Sequence, residues 1–141
     1  MGRTEFGILG GIVVALAIAG AAAAWTVARG ATGNPQVTID IRYSHFEPSE
    51  LSVPVGVPVT VVLSNRDMID HEWILGDDAV HERHRTGTEP VHGARPTEVT
   101  IPAGETRRTT IVLDEAGTFR YICHLPGHEA YGMVGVLVAR P

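Results

Sequence analysis

Lysine is absent from this 141-residue chain: all eleven basic residues are arginine, set against sixteen aspartates and glutamates. A net charge of −5 leaves no basic excess with which to grip a phosphate backbone, so nucleic-acid binding is excluded on charge grounds. Cysteine occurs once, as Cys123, which excludes an intramolecular disulfide framework and any metal centre bridged by two thiolates. No segment repeats. Beyond one N-terminal apolar run, no stretch follows a helical period, which leaves an all-β fold. The length fits a single globular domain, and the roughly 107 residues from Pro35 onward suffice for a core without disulfide support.

The apolar run extends from Phe6 to Ala28, 23 residues without a charge. As a helix rising about 1.5 Å per residue it would span a bilayer's hydrocarbon core. Arg3 and Arg29 bracket it and Trp25 sits at the expected interface. Two readings stay open. Residues 6–28 are an uncleaved membrane anchor, or they belong to a signal peptide cut near Ala21–Ala24, where small residues suit the protease. The weak basic start and the long run favour the anchor. Either reading sets residues 1–29 apart from the fold and exports a domain at 36–141, joined through a Gly/Asn/Pro linker at 30–35.

That domain reads as short strands and turns. Gln36–Arg42 alternates apolar and polar residues, as a strand buried on one face does. His45–Pro48 reads as a turn, with Phe46 entering the core and His45 exposed. Pro54, Gly56 and Pro58 break Leu51–Leu63 into edges and corners, with Val59–Leu63 the better strand. Asn65–Asp67 is a turn. His71–Leu75 is a strand with His71, Trp73 and Leu75 on one face and Glu72 and Ile74 on the other. Residues 77–96 show no periodicity and read as a 20-residue loop carrying His81, His84 and His92; a loop of that length is often functional. Thr97–Ile101 resumes the strand pattern. Thr106–Leu113 and Thr118–Cys123 flank Asp114–Gly117 as a hairpin. Val134–Ala139 is the last strand.

The chemistry concentrates in Thr118–Met133. Cys123, His128 and Met133 succeed one another with four residues between each pair. A thiolate, an imidazole and a thioether on one loop form a soft donor set that suits copper. The trigonal His2Cys site with a weak axial Met lacks only a second imidazole, and His71 is the candidate. Phe119, Tyr121 and Cys123 alternate onto one face, so the aromatics anchor the strand while Cys123 points into the site. Pro126 and Gly127 stiffen the approach to His128, and Gly132 permits the turn into Met133.

These residues carry a family resemblance. Gly117-Thr-Phe-Arg-Tyr-Ile-Cys123 is similar to the penultimate strand of plastocyanins, and the Cys123, His128 and Met133 spacing resembles that of the auracyanins and rusticyanins. The chain from about residue 36 to 139 looks like a cupredoxin, a blue-copper electron carrier. The resemblance implies a Greek-key β-sandwich of seven or eight strands holding one type 1 copper through His71, Cys123, His128 and Met133. It also implies that electrons pass through His128 to redox partners at an apolar patch made by Leu125, Pro126, Ala130 and Tyr131. Many cupredoxins carry Asn after the first His ligand and Ser or Thr after the Cys. Here Glu72 and His124 occupy those positions, and the expectation is a carboxylate–imidazole clamp between their side chains, with the His124 pKa raised. The functional expectation is a mononuclear electron-transfer protein on the outer side of the cytoplasmic membrane. The alternative is a copper-handling protein for storage, delivery or resistance, with a second metal at His81, His84 and His92. An enzyme is not expected: no His-x-His pair is present for a trinuclear centre, and Ile122 stands where multicopper oxidases place a cluster histidine.

Overall fold

The computed structural model describes residues 28–29, 33–87 and 92–141. The described residues form ten strands and one helix. The strands are β1 (Ala28–Arg29), β2 (Pro35–Arg42), β3 (His45–Glu47), β4 (Glu50–Pro54), β5 (Val59–Asn65), β6 (His71–Gly76), β7 (Glu98–Ile101), β8 (Thr106–Ile111), β9 (Gly117–Ile122) and β10 (Val134–Arg140); the helix α1 is Asp78–Arg85. One sheet runs β1-β2-β5-β8, with the short β3 also paired to β2, and the other runs β4-β10-β9-β6-β7. The β2–β5 and β4–β10 pairs are parallel, the rest antiparallel. The all-β expectation therefore holds, with more strands than the seven or eight expected because β1 and β3 are fragments of two and three residues.

The alternation read from the sequence places one face of each sheet inward. Val37, Ile39, Ile41, Val59, Val61 and Leu63 meet Leu51, Val53, Trp73, Ile101, Tyr121 and Leu137 from the opposite sheet in one buried cluster. Tyr121 is fully buried. Its ring meets Phe46 edge-on at 5.1 Å, and its hydroxyl donates to the Pro48 carbonyl at 2.8 Å, so a large aromatic is buried without an orphaned polar atom.

Beyond His45–Glu47, read as part of a turn but paired with β2 as β3, three expectations change. The 106–123 segment is not a hairpin. β8 pairs with β5 in the first sheet while β9 pairs with β10 and β6 in the second, so Asp114–Ala116 is a crossing between sheets. The 77–96 loop begins with a helix. Asp77 caps it by accepting from the Val80 N–H at 3.0 Å, Asp78 lies in its first turn and Arg83, His84 and Arg85 in its last, charges that suit the helix dipole. Its buried residues are His81 and His84, so hydropathy does not register the buried side. The third change is small: Ala28 and Arg29, read as the end of the apolar segment, pair with Gln36 and Pro35 as β1. Residues 1–27 lie outside the described residues, and so does the anchor or signal reading. Among the described residues no helix is long and apolar enough to cross a membrane.

Helix α1 covers the outer face of β6 and β9. A Cβ on Gly76 would lie 2.6 Å from Val80 Cβ, so this approach requires glycine at the end of β6. As a result β6 is buried on both faces, Glu72 and Ile74 included.

Candidate metal centre

His71 opens β6 on its inner face, and Cys123 lies just past β9 on the inner face of the same sheet. Both are fully buried. The chain then folds back on itself through tight turns. The His128 N–H donates to Leu125 O at 3.0 Å, the Met133 N–H to His128 O at 3.0 Å, and the Cys123 N–H to Met133 O at 3.2 Å. Gly127 and Gly132 take φ of 87° and 91°, as these turns require. This closed loop brings His128 Nδ1 to 3.2 Å from Cys123 Sγ and 3.3 Å from His71 Nδ1. The three donor atoms lie within 4.8 Å of one another. Met133, fully buried, packs in the core cluster beside Cys123.

The surroundings prepare the donors. His71 Nε2 lies 2.9 Å from Asp67 Oδ2, so that nitrogen carries the proton and Nδ1 presents its lone pair to the site. Asp67 also accepts from the Tyr43 and Ser44 N–H groups at 2.7 and 2.8 Å. Burial works to raise its pKa, yet the Ser44, Tyr43 and His71 bonds outweigh it and the value is lowered. Asn65 cross-braces this end. Its amide donates to Ile69 O, Ile101 O and Pro102 O at 2.8, 3.0 and 3.0 Å, and its oxygen accepts from Asp67 N at 3.0 Å. Burial pushes the Cys123 thiol up to about 11, against the opposing N–H groups of Glu72 and Leu125; a bound cation would displace that proton. The His128 pKa is lowered by burial and by His71, which keeps the imidazole a neutral donor. Two imidazoles, one with its lone pair directed by Asp67, a thiol and a buried thioether are the donor set that suits copper.

The expected clamp of Glu72 and His124 divides. The Glu72 backbone N–H donates to Cys123 Sγ at 3.3 Å, while its carboxylate lies 3.4 Å from His92 Nε2. His124 Nε2 lies 3.0 Å from His81 Nδ1, and His124 Nδ1 3.4 Å from Glu129 Oε2. Burial lowers the His124 pKa to about 4 in spite of Glu129, the reverse of the expected rise. What reaches the Glu72 carboxylate from the cysteine loop is the His124 backbone N–H, which works with His92 and His84 against a rise in its pKa caused by burial. His81, His84 and His92 do not form one site either. His81 pairs with His124, whereas His84 and His92 gather around Glu98. Glu98 went unnoticed in the sequence because its partners lie up to 15 residues away in the chain.

His128 is partly exposed, and Pro126, Ala130 and Tyr131 beside it are exposed. Met68 and Ile69, 91% and 50% exposed, are further exposed apolar residues, on the loop that leads into His71. Two adjacent exposed apolar residues just before a predicted ligand strand were the available cue.

A family model described as a cupredoxin-like domain matches residues 12–139. The chain belongs to this cupredoxin-like family. It is similar to the copper-resistant cuproprotein CopI of Rubrivivax gelatinosus, with 33% identity over 98 residues, 67% of this chain and 59% of that protein. It is also similar to Auracyanin-B of Chloroflexus aurantiacus, with 28% identity over 126 residues, 76% of this chain and 54% of that protein. The chain thus spans a little over half the length of these two relatives. Among solved structures, auracyanin B superposes with a TM-score of 0.64 at 26% identity, covering 75% of this chain and 88% of that one. The cofactor of this cupredoxin is copper, and His71, Cys123 and His128 fit it.

Proposed function

We propose that this cupredoxin is a mononuclear type 1 copper electron-transfer protein that works on the outer side of the cytoplasmic membrane and is not itself an enzyme. One observation carries the reading. The lone pair of His71 Nδ1, directed by Asp67, converges with His128 Nδ1 and Cys123 Sγ at 3.2–3.3 Å beside a buried Met133. Copper bound there supplies a one-electron couple between Cu(I) and Cu(II). The chain's own contribution is rigidity. His71 and Cys123 sit on neighbouring strands of one sheet, and His128 and Met133 on a loop closed by backbone hydrogen bonds, so the donors hold their places in both oxidation states. Met133, buried in the same cluster as Cys123, would add a weak thioether donor to the copper. The partly exposed His128 is the exit for the electron. The apolar surface of Pro126, Ala130, Tyr131, Met68 and Ile69 is the docking face for a redox protein. Residues 6–28 tether the domain or direct its export.

A second reading, copper handling, draws on the likeness to CopI and on the buried histidines under α1. Stepwise copper titration of the purified domain, followed in the visible and by voltammetry, separates the two. Electron transfer predicts an intensely coloured protein at one copper per chain with a reversible one-electron wave. Colourless uptake of several Cu(I) per chain, without such a wave, would favour handling.

A further inference from the structure

We infer that His84, His92 and Glu98, with Glu72 at their edge, form a second metal site on the outer face of the second sheet, built for a divalent first-row cation, Cu(II) ahead of Zn(II). It stands apart from the blue site in ligands and in place. His71 and Cys123 point inward from β6 and the end of β9, whereas Glu72 on β6, Glu98 on the neighbouring β7 and His124 past β9 lie on the opposite face of that sheet, beneath α1.

The three donor groups are all buried and offer ligand atoms within 4.8 Å of one another. His84 Nε2 lies 3.6 Å and His92 Nδ1 3.8 Å from Glu98 Oε2, and His92 Nε2 lies 3.4 Å from Glu72 Oε1. Each gap is too long for a good hydrogen bond, which runs about 2.7–3.2 Å. Donors that share one ion at about 2.0–2.1 Å stand about 3.3–3.6 Å apart at tetrahedral or trigonal angles. His84 Nε2 at 3.6 Å from Glu98 Oε2 matches that span and His92 Nδ1 at 3.8 Å lies just beyond it, so a small contraction brings these three donors onto one ion. Glu72 meets the other nitrogen of His92 and stands outside it.

The groups are also oriented. His84 Nδ1 donates to the Val80 carbonyl at 2.8 Å, which in the neutral ring puts the Nε2 lone pair on the side of Glu98, the arrangement that outer-shell carbonyls impose on metal-binding histidines. The His92 backbone is pinned at both ends: its N–H donates to Thr100 Oγ1 at 2.8 Å and its carbonyl accepts from the Thr100 N–H at 3.1 Å. Glu98 is held by Arg83 at 2.9 Å on Oε1 and by Arg95 at 3.0 Å on both oxygens. Burial works to raise its pKa, but the arginines and His84 keep it lowered and the carboxylate ionised. Two histidines and a carboxylate are a borderline N/O set, for which affinity rises toward Cu(II) and then falls to Zn(II). Burying so many ionisable groups costs the fold stability unless they are paired or hold a metal.

The two sites are connected. Cys123 continues directly into His124, whose ring stacks on His84 at 5.6 Å and 19°, and the N–H of Glu72 lies on Cys123 Sγ while its carboxylate meets His92. Metal at the second site therefore perturbs the blue site through two short routes.

The test uses the whole protein with one copper in the blue site. Zn(II) is titrated in against a chromophoric competitor, and bound zinc is counted after desalting. Wild type should hold one zinc per chain and show a measurable shift of its visible band on loading. His84→Gln and, separately, His92→Gln should weaken zinc by about a hundredfold or more, beyond the 10–100-fold usual for losing an outer-shell partner. Their visible band before zinc should be retained, which certifies the fold and the blue site. With Cu(II) as probe, the second equivalent should give a non-blue EPR signal that both variants lack. No zinc retained by wild type, or equal retention by both variants, overturns the proposal. A wild type without any visible band would instead sink the electron-transfer reading and leave the zinc count to judge the second site.

Discussion

Asp67 carries two loads at once, and Asp67→Ala removes both. Its Oδ1 and Oδ2 take the N–H groups of Tyr43 and Ser44 at 2.7 and 2.8 Å, and Oδ2 takes His71 Nε2 at 2.9 Å. Tyr43 and Ser44 both adopt φ of 55°, a left-handed conformation that costs non-glycine residues roughly 1–2 kcal/mol each. The carboxylate offsets that cost at the β2–β3 turn. Hydrogen bonds to a charged acceptor contribute about 1.5–3 kcal/mol each. The Asp67 side chain is 14% exposed, so water replaces part of the loss, and the lower end of the range applies. Asp67→Ala should therefore lower apo-protein stability by about 2–4 kcal/mol, read as a shifted urea midpoint at unchanged slope. It should also weaken Cu(I) by about 10–100-fold against a competing chelator, because His71 no longer has its proton fixed on Nε2. Asp67→Asn separates the loads. The amide oxygen can still serve one backbone N–H, but the amide nitrogen cannot accept from His71, so affinity should fall as far while stability falls less. If Asp67→Ala costs under about 1 kcal/mol and leaves copper affinity unchanged, both assignments are refuted.

Gly135→Ala would set a Cβ 2.1 Å from Cε2 and Cζ of Tyr121. Because that ring is pinned by Pro48, the loss should reach about 3 kcal/mol or more by chemical unfolding, and a loss under about 1 kcal/mol would show that the ring yields. The His81 pKa is lowered, first by burial, so the unfolded chain takes up its proton more readily. The resulting destabilisation is absent well above the unfolded value of about 6.5 and grows as pH falls toward the lower folded value. His81→Gln should flatten the stability profile below that pH by up to about 1.4 kcal/mol per pH unit, and an unchanged slope would contradict it. Met133→Leu should keep copper but raise the reduction potential, as a weak axial donor favouring Cu(II) is lost; loss of copper would mean that Met133 is more than axial.

The ligand loop was legible because its chemistry is local. Cys123, His128 and Met133 lie within one turn-rich stretch, and alternation alone puts Cys123 and His71 on inner faces. The strands whose apolar residues alternate were legible for the same reason. What escaped is tertiary or masked by residue type. Helix α1 was missed since its buried residues are histidines, which hydropathy scores as polar, although Asp77 before Asp78 with Arg83 and Arg85 beyond them was a usable cap-and-charge signal. Thr106–Leu113 and Thr118–Cys123 have hairpin spacing, yet their registers run to β5 and to β6 and β10; local spacing does not distinguish a hairpin from a crossing between sheets. The bond from Asp67 to the Tyr43 and Ser44 N–H groups spans 24 and 23 positions, and no local pattern announces it. Glu72 was read correctly as a neighbour of the cysteine strand, but its side chain meets a histidine brought in by the 92–98 segment rather than His124.

The most direct test of a copper centre at His71, Cys123 and His128 is the visible spectrum of the copper-loaded protein beside that of Cys123→Ser. Copper held by the Cys123 thiolate should give intense thiolate-to-copper absorption at one copper per chain in the wild type. The band should disappear in the variant, while urea unfolding of the apo form stays close to wild type because serine nearly matches the thiol in size. A variant that keeps the band, or a wild type that binds copper at this stoichiometry without one, would contradict the assignment.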